Sequence, residues 1–280
     1  VKRPQSVLVA GCGYLGRQIA SLLVAREASV TGWVRSRDSA RELEALSIHP
    51  HVGDIANANH WQQLGHPFDA VIHCASSGRG GPEVYNRVYL EGIRLACAAQ
   101  PDAKIIFVSS TSVYGHADGS VVTEESPAEP LSPTSQILRQ AEDCALARGG
   151  IVARSSGIYG PGRCVLVNKW LRGDAVEGDG SRWINQIHRD DLAQAILFLL
   201  EHGQPGQIYN CTDSEPVTQR DFYQWIAARL NKPEPPYGAP VSARKRGQTN
   251  KRVSNQKLLA LGWKPLYPGF QQGLPAALGI

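Results

Sequence analysis

The sequence predicts an α/β fold: a doubly wound parallel sheet carrying a small C-terminal α/β lobe. Three observations predict it. The chain begins with a short apolar run, Val7-Leu8-Val9-Ala10, that ends in glycines. Further apolar runs recur at 29–34, 48–52, 68–75, 104–108 and 151–154, with helix-spaced segments between them. This alternation calls for parallel strands joined by crossover helices on both faces. At 280 residues and 42% hydrophobic content, the chain suits one large domain, or one domain with a smaller companion.

Bulk composition excludes several classes. The cysteines (Cys12, Cys74, Cys97, Cys144, Cys164 and Cys211) are scattered with no C-x-x-C pair, so neither a metal site nor a disulfide framework is expected. Free thiols fit a reducing, cytoplasmic compartment. No apolar run reaches membrane-spanning length, and the N-terminus lacks a signal-peptide pattern, so no membrane partner is expected. The net charge of +4 permits an anionic small ligand but gives no argument for nucleic acid. The chain contains no methionine, where one of this size ordinarily has several.

The first strand, near 6–10, is followed by Gly11, Gly13 and Gly16 at G-x-G-x-x-G spacing and by a helix near 15–26. That is the dinucleotide-binding signature of a Rossmann-type fold. Gly11 permits the tight turn, Gly13 lets the backbone approach a pyrophosphate, and Gly16 lets the helix pack close to the strand. Cys12, Tyr14 and Leu15 complete this cofactor-binding turn, and the helix N–H groups face the phosphates. The plain alternative is an ordinary strand-to-helix turn.

The second strand, 29–34, ends in Arg35-Ser36-Arg37, with Asp38 arriving late. An acidic residue here selects a free 2′-hydroxyl, whereas arginine suits a 2′-phosphate. The expected cofactor is therefore NADP, with NAD as the alternative; the charges could also be only a solvated turn. After the third strand, 48–52, Asp54 either caps the next helix or accepts from the adenine amino group, with Ile55 beside it. The fourth strand, 68–75, closes in small residues, Ala75, Ser76 and Ser77, across which a cofactor can lie. His73, inside the apolar run, reads as a core histidine. A glycine-rich loop at 78–82 leads to a helix near 83–99, with Val84, Val88, Ile93, Ala96 and Cys97 at helical spacing.

The fifth strand ends in Ser109-Ser110-Thr111-Ser112-Val113-Tyr114-Gly115, hydroxyls gathered where open α/β sheets bind ligands. This motif, the glycine turn, Gly53-Asp54, His73-Cys74-Ala75, Ser155-Ser156-Gly157-Ile158-Tyr159-Gly160-Pro161-Gly162 and His188-Arg189-Asp190-Asp191-Leu192-Ala193 together span nearly the whole chain. In their order the sequence resembles the extended short-chain dehydrogenases/reductases, the NAD-dependent epimerase/dehydratase family. The resemblance implies that Ser109 lies at the cofactor and that Ser110 holds the substrate oxygen undergoing hydride chemistry. A serine cluster can equally well just cap a strand end.

The sequence also departs from the family. The resemblance implies a proton-donating tyrosine, a lysine four residues later and a glutamate four beyond that. Counting back from Glu142 puts Leu138 at the lysine position and Thr134 at the tyrosine position. Arg139 is too basic to replace a general base. Tyr89 stands three before Gly92, where the family carries asparagine. The chain thus looks like an atypical branch. Tyr159 is the leading substitute catalytic residue, with packing as its alternative, and Tyr85, Tyr114 and His188 are further candidates. The 188–193 motif reads mainly as a helix start with aspartate as N-cap.

Beyond the sixth strand, at 151–154, the simple alternation ends. Helices are expected near 165–171, 192–201 and 218–230, and strands near 183–187 and 206–211. We expect residues 1–164 and 182–203 to form the cofactor domain, and 165–181 and 204–280 the substrate lobe. Pro233-Glu234-Pro235-Pro236 is a stiff connection. Arg244-Lys245-Arg246 and Lys251-Arg252 form a basic patch that could clamp an anionic substrate, or be a solvated loop. The functional expectation is an NAD(P)-binding oxidoreductase or epimerase acting on a carbinol or carbonyl of a small, sugar-like or nucleotide-linked substrate. The alternatives are a non-catalytic NADP-sensing regulator and an NAD-binding scaffold. The resemblance also implies a homodimer through paired helices.

Overall fold

Seven parallel strands form the central sheet in the computed structural model, which describes residues 3–78, 80–239 and 249–280. They are β1 (Ser6–Ala10), β2 (Ser29–Val34), β3 (His49–Val52), β4 (Ala70–His73), β5 (Lys104–Ser110), β6 (Ile151–Ser155) and β7 (Ile208–Cys211). Their spatial order is β3-β2-β1-β4-β5-β6-β7. The order reverses between β1 and β4, the crevice where doubly wound sheets bind ligands.

The strands are continuous apolar runs because both faces are covered. On one side, α1 (Tyr14–Val24) and α8 (Arg189–His202) pack a core that includes Val7, Val9, Ile19, Ile72, Leu192 and Ile196. On the other side, α3 (Ala58–Gln62), α5 (Gly92–Ala99) and α6 (Pro133–Leu146) cover Leu8, Val71, Phe107 and Val152. A third core belongs to the C-terminal lobe. There Val167 and Trp170 of α7 (Val165–Leu171) pack with Phe222, Ile226, Phe270 and Leu274.

Several expected elements differ in extent. A helix not foreseen in the sequence, α2 (Arg37–Glu44), starts directly after β2, with the Ser36 hydroxyl accepting from Ser39 N–H. The long helix expected near 83–99 is three pieces: α4 (Pro82–Tyr85), a π-helical segment (Asn86–Glu91) and α5. α8 begins earlier than expected, and its N-cap is His188, whose Nδ1 accepts from Asp190 N–H, rather than an aspartate. The strand expected at 183–187 is split at Asn185: Trp183–Ile184 pairs with Val217–Thr218, and Gln186–His188 pairs with Gly157–Tyr159. β7, expected in the lobe, pairs with β6 and forms the edge of the main sheet, because its apolar residues complete that core. A further short pairing joins Val121–Val122 to Arg252–Val253 and ties the C-terminal part to the sheet domain. The triplet Arg244-Lys245-Arg246 lies outside the described residues.

A buried ion pair joins three of these elements. Glu142 on α6 takes two hydrogen bonds from Arg154 on β6, at 3.0 and 2.7 Å, and one from Ser109 on β5, at 2.6 Å. Arg154 is 1% exposed and Glu142 fully buried. Burial alone would lower the guanidinium pKa, but Glu142 outweighs it and drives it up. Removing one partner would strand the other charge, whereas an apolar pair of similar volume would not. Glu142→Leu or Arg154→Met alone is expected to cost about 3–5 kcal/mol, and the double variant much less than the sum. Urea unfolding of the three variants measures this.

His73 is fully buried on β4, beneath Gly92, and neither ring nitrogen makes a well-formed hydrogen bond among the described residues. Burial pushes its pKa down from 6.5 to about 4, outweighing the nearby backbone of His73 itself and of Val88. Between those values the unfolded chain binds more protons, so stability is complete above the upper value and falls as pH drops towards the lower one. The loss across that window is roughly 3 kcal/mol. His73→Phe should flatten this acid limb in denaturation curves recorded as a function of pH.

Candidate functional site

A cavity of about 1440 Å³ opens along the carboxyl ends of the strands, over the β1–β4 crevice. Its floor begins at the glycine turn, where Gly11, Cys12, Gly13, Tyr14 and Leu15 all line it. Gly11 has φ +99°, and a Cβ there would sit 2.2 Å from the Ala75 Cα. A side chain is therefore excluded both by conformation and by the exit of the neighbouring strand. Gly16 does not line the cavity. A Cβ there would lie 2.5 Å from the Gly11 carbonyl oxygen, so the residue lets α1 close on the turn. At Gly13 no atom lies within 4 Å of the Cβ position. The N-terminus of α1 has no side-chain cap and no acidic residue in its first turn.

One end of the cavity lies at the tip of β2, lined by Arg35, Ser36 and Ser39. Arg37 is the first residue of α2 and does not line it, because the helix starts immediately and carries this side chain onto its own surface. Ser39 and Arg17 also line the cavity, and no sequence pattern marks either. Arg17 pairs with Glu42, and its Nε is buried without a hydrogen-bond partner among the described residues. Asp54 and Ile55 border the same region. Asp54 accepts from Ala56 N–H at 2.9 Å and pairs with Arg87, so it is both a local turn cap and an anchor for the π-helical segment. Ala75 and Ser76 line the middle, and the Ser77 N–H donates to Tyr89 Oη at 3.4 Å. The sequence signal for Tyr89 is its departure from asparagine three residues before Gly92.

The other end is built by β5, β6 and the lobe. Ser109 and Ser110 are the last residues of β5, and both line the cavity. Ser109 is bound to Glu142; the Ser110 hydroxyl accepts from Ser112 N–H at 3.2 Å and so also caps the turn that follows. The opening of α6 brings Thr134, which is buried, and Leu138, which lines the cavity. Around Thr134 runs a chain of hydroxyls: Ser132 meets Thr134 at 3.2 Å and Ser135 at 3.0 Å, and Ser135 donates to Ser112 at 3.2 Å. Tyr14 bridges from the glycine turn to the 160–163 turn, donating to the Pro161 carbonyl at 3.1 Å, with the guanidinium groups of Arg163 and Arg189 over its ring.

Beyond Ser110 the space continues into a smaller cavity of about 430 Å³. Ser110, Ser156, Gly157 and Asn185 line both. Its remaining wall includes Arg182, Trp183, Thr249 and Lys251. Ser156 Oγ and Gln219 Oε1 are buried there without hydrogen-bond partners among the described residues. Arg252, the other described cation of the basic patch, stacks over Trp183.

The four substitute proton donors considered from sequence are all held by packing. Tyr114 is buried and donates to Asn210 Oδ1 at 2.8 Å; burial raises its pKa. Tyr85 is 1% exposed in the core beneath the sheet. His188 caps α8 with Nδ1, and burial lowers its pKa. Tyr159 borders the cavity, but its hydroxyl is buried and unpartnered among the described residues, and a Cβ at Gly273 would sit 2.2 Å from it. Burial, helped by Asp213 and Asp191, pushes the Tyr159 phenol far up. This placement packs Tyr159 into the core of the lobe. Tyr159→Phe should leave stability unchanged or raise it by about 1 kcal/mol, since it deletes a buried hydroxyl without a partner. Thermal and urea unfolding report this directly; a loss above that size would reveal a partner for the hydroxyl.

Among the described residues there is no cluster of side chains able to hold a metal ion, and no helix is long and apolar enough to cross a membrane. Comparison with known proteins agrees with the geometry. Residues 7–212 match the model of the NAD dependent epimerase/dehydratase family. Protein YeeZ of Escherichia coli K12 is 31% identical over 245 residues, covering 83% of this chain and 86% of YeeZ. A 4-hydroxy-2-methyl-3-oxo-4-farnesyl-3,4-dihydroquinoline-1-oxide ketoreductase of Stigmatella aurantiaca is 27% identical over 238 residues, covering 78% of this chain and 71% of the ketoreductase. A solved structure from Methylobacillus flagellatus, provisionally described as an NAD-dependent epimerase/dehydratase, superposes with a TM-score of 0.80 at 29% identity, covering 98% of both chains. With its glycine turn, its parallel sheet and its serine-ended fifth strand in the matching order, the chain belongs to the NAD-dependent epimerase/dehydratase family.

Proposed function

We propose that the chain binds NADP(H) along the large cavity and interconverts a carbonyl and a carbinol on a small, sugar-like or nucleotide-linked anionic substrate. The observation that carries this reading is the continuity of the cavity, from Arg35 through the glycine turn to Ser110. The residues present suit a dinucleotide. The open space at Gly13 and the uncapped N-terminus of α1 suit a pyrophosphate. Arg35, Ser36 and Ser39 offer a cation and two hydroxyls for a 2′-phosphate, and Arg17, paired with Glu42 of α2, lines the same cavity. When bound, the nicotinamide supplies or accepts the hydride. Ser110 then holds the reacting oxygen and polarises it. The smaller cavity beyond Ser110 takes the substrate, and its two cations, Arg182 and Lys251, favour a negative group. A relative named as a ketoreductase is in keeping with carbonyl chemistry.

On this reading the protein works in the cytoplasm, in keeping with its free cysteines, and as a homodimer on family analogy alone. A second reading is favoured by one observation. Thr134 is buried and Leu138 is aliphatic at the opening of α6, which suits a protein that senses NADP without turnover.

Isothermal titration of NADPH, NADP, NADH and NAD tests the cofactor. The phosphorylated pair is expected to bind at least about tenfold tighter, a difference of about 1.4 kcal/mol. Arg35→Ala should remove that preference and leave NADH binding unchanged. Equal binding of NADH would move the assignment to NAD, and binding of none of the four would overturn both the reductase and the sensor.

A further inference from the structure

We propose that Lys251 is the proton donor to the substrate oxygen held at Ser110, acting from the wall of the smaller cavity. The proposal rests on the carbonyl–carbinol reading above and extends it to a residue from the far end of the chain.

Two features of the fold bring Lys251 to this place. Pairing of Arg252–Val253 with Val121–Val122, and backbone bonds between Asn250 and both His116 and Gly119, lay the segment after 249 along the chain that follows β5. Asn185 clamps the same segment from the other side, donating through Nδ2 to the Lys251 carbonyl at 2.9 Å and accepting from Val253 N–H at 2.7 Å. The Lys251 side chain is then held inside the protein, 5% exposed, on the wall of the cavity that also presents Ser110, Ser112 and Ser156.

The ammonium group is oriented but, among the described residues, not saturated. Nζ donates to the Tyr114 carbonyl at 2.9 Å and to Thr249 Oγ1 at 3.0 Å. An ammonium has three N–H donors, so one is left beyond these two bonds among the described residues. No carboxylate pairs with Lys251 among the described ion pairs, while Arg182 shares the cavity wall and repels it. The other titratable groups nearby are turned to different tasks. The Tyr114 phenol donates to Asn210, and Arg252 lies over Trp183. Burial first, and Arg182 second, push the Lys251 pKa down to about 8. A lysine in that range gives up its proton far more readily than one in water, and most of the population still carries it at neutral pH.

In the reductive direction, the carbonyl carbon accepts the hydride of a reduced nicotinamide and the C=O π bond breaks. The oxygen takes a proton from Lys251 Nζ, the ammonium becomes an amine, and water restores its proton. Oxidation of the carbinol runs the same path backwards, with the neutral amine as base. The hydrogen bond from Nζ to the Tyr114 carbonyl holds the group in position through either direction.

The test has two arms on the full-length protein. In the first, the protein is labelled at lysine 13Cε and its resonances are titrated by NMR, with and without NADPH, using Lys251→Arg to assign the signal. A Lys251 midpoint near 8 supports the proposal; a midpoint in the ordinary lysine range, about 10.4, overturns it. In the second arm, NADPH oxidation is followed against a panel of small aldehydes and ketones, neutral and phosphorylated. Lys251→Met, checked for folding by circular dichroism and for unchanged NADPH affinity, is expected to lower kcat by at least about 100-fold. Lys251→Arg, which keeps the charge and can keep both hydrogen bonds, should shift the alkaline limb of the pH profile upwards. A folded Lys251→Met that retains wild-type kcat and pH profile overturns the lysine assignment and leaves the reductase reading standing. A wild-type protein that binds NADPH yet reduces nothing on the panel overturns both.

Discussion

The bidentate pair between Glu142 and Arg154 is the interaction on which the working end of the molecule depends. It joins α6 to β6 and, through Ser109, to the end of β5. Both charges are out of water, so the pair holds only while its geometry is complete. The guanidinium also lies over the Tyr114 ring, and Tyr114 passes the connection on to Asn210 on β7. Four elements are thereby fixed where the sheet meets the cavity. Ser110 and Leu138, both lining that cavity, sit one or a few residues from members of this network.

The cavity is built in two stages. The sheet domain alone supplies the glycine turn, the tip of β2 and the small residues after β4. These follow one another in sequence order and need only the β1–β4 crevice to converge. The far end requires chain segments from 156–157, 182–185 and 249–251 to meet. Asn185 is central to that meeting. It interrupts the strand expected at 183–187, and its side chain satisfies the backbone of 251–253 instead. The backbone groups of a short two-residue pairing would otherwise have few partners, and buried backbone polar groups are costly when unpaired.

Local pattern makes most of the fold legible. Apolar runs bounded by glycine and small residues identify the main strands, because a parallel strand covered on both faces must be apolar throughout. β7 reads as a strand, but its place in the main sheet does not show. Nothing local in Ile208-Tyr209-Asn210-Cys211 states whether it pairs with β6 or with another short strand. α2 is hidden because its polar sequence, Arg37 to Glu44, buries only Ala40 and Leu43 and leaves little apolar periodicity to detect. The π-helical segment is invisible for a different reason. An added residue in a helical turn leaves the surrounding composition unchanged.

The sequence by itself determined the glycine turn, the strand alternation and the serine-ended fifth strand, because those features depend on neighbours within a few residues. From them most of the residues that line the glycine-turn end of the large cavity could be named. Tertiary structure decided which polar side chains are free to act. It buried the Tyr159 hydroxyl against Gly273, used the Tyr114 hydroxyl on Asn210, and carried Arg37 away on a new helix. It also drew Lys251 out of what reads in sequence as a basic surface patch and set it on the cavity wall it shares with Ser110. Burial, hydrogen-bond occupancy and the company of other charges are properties of the packed chain, so no local pattern of residue types could have settled them.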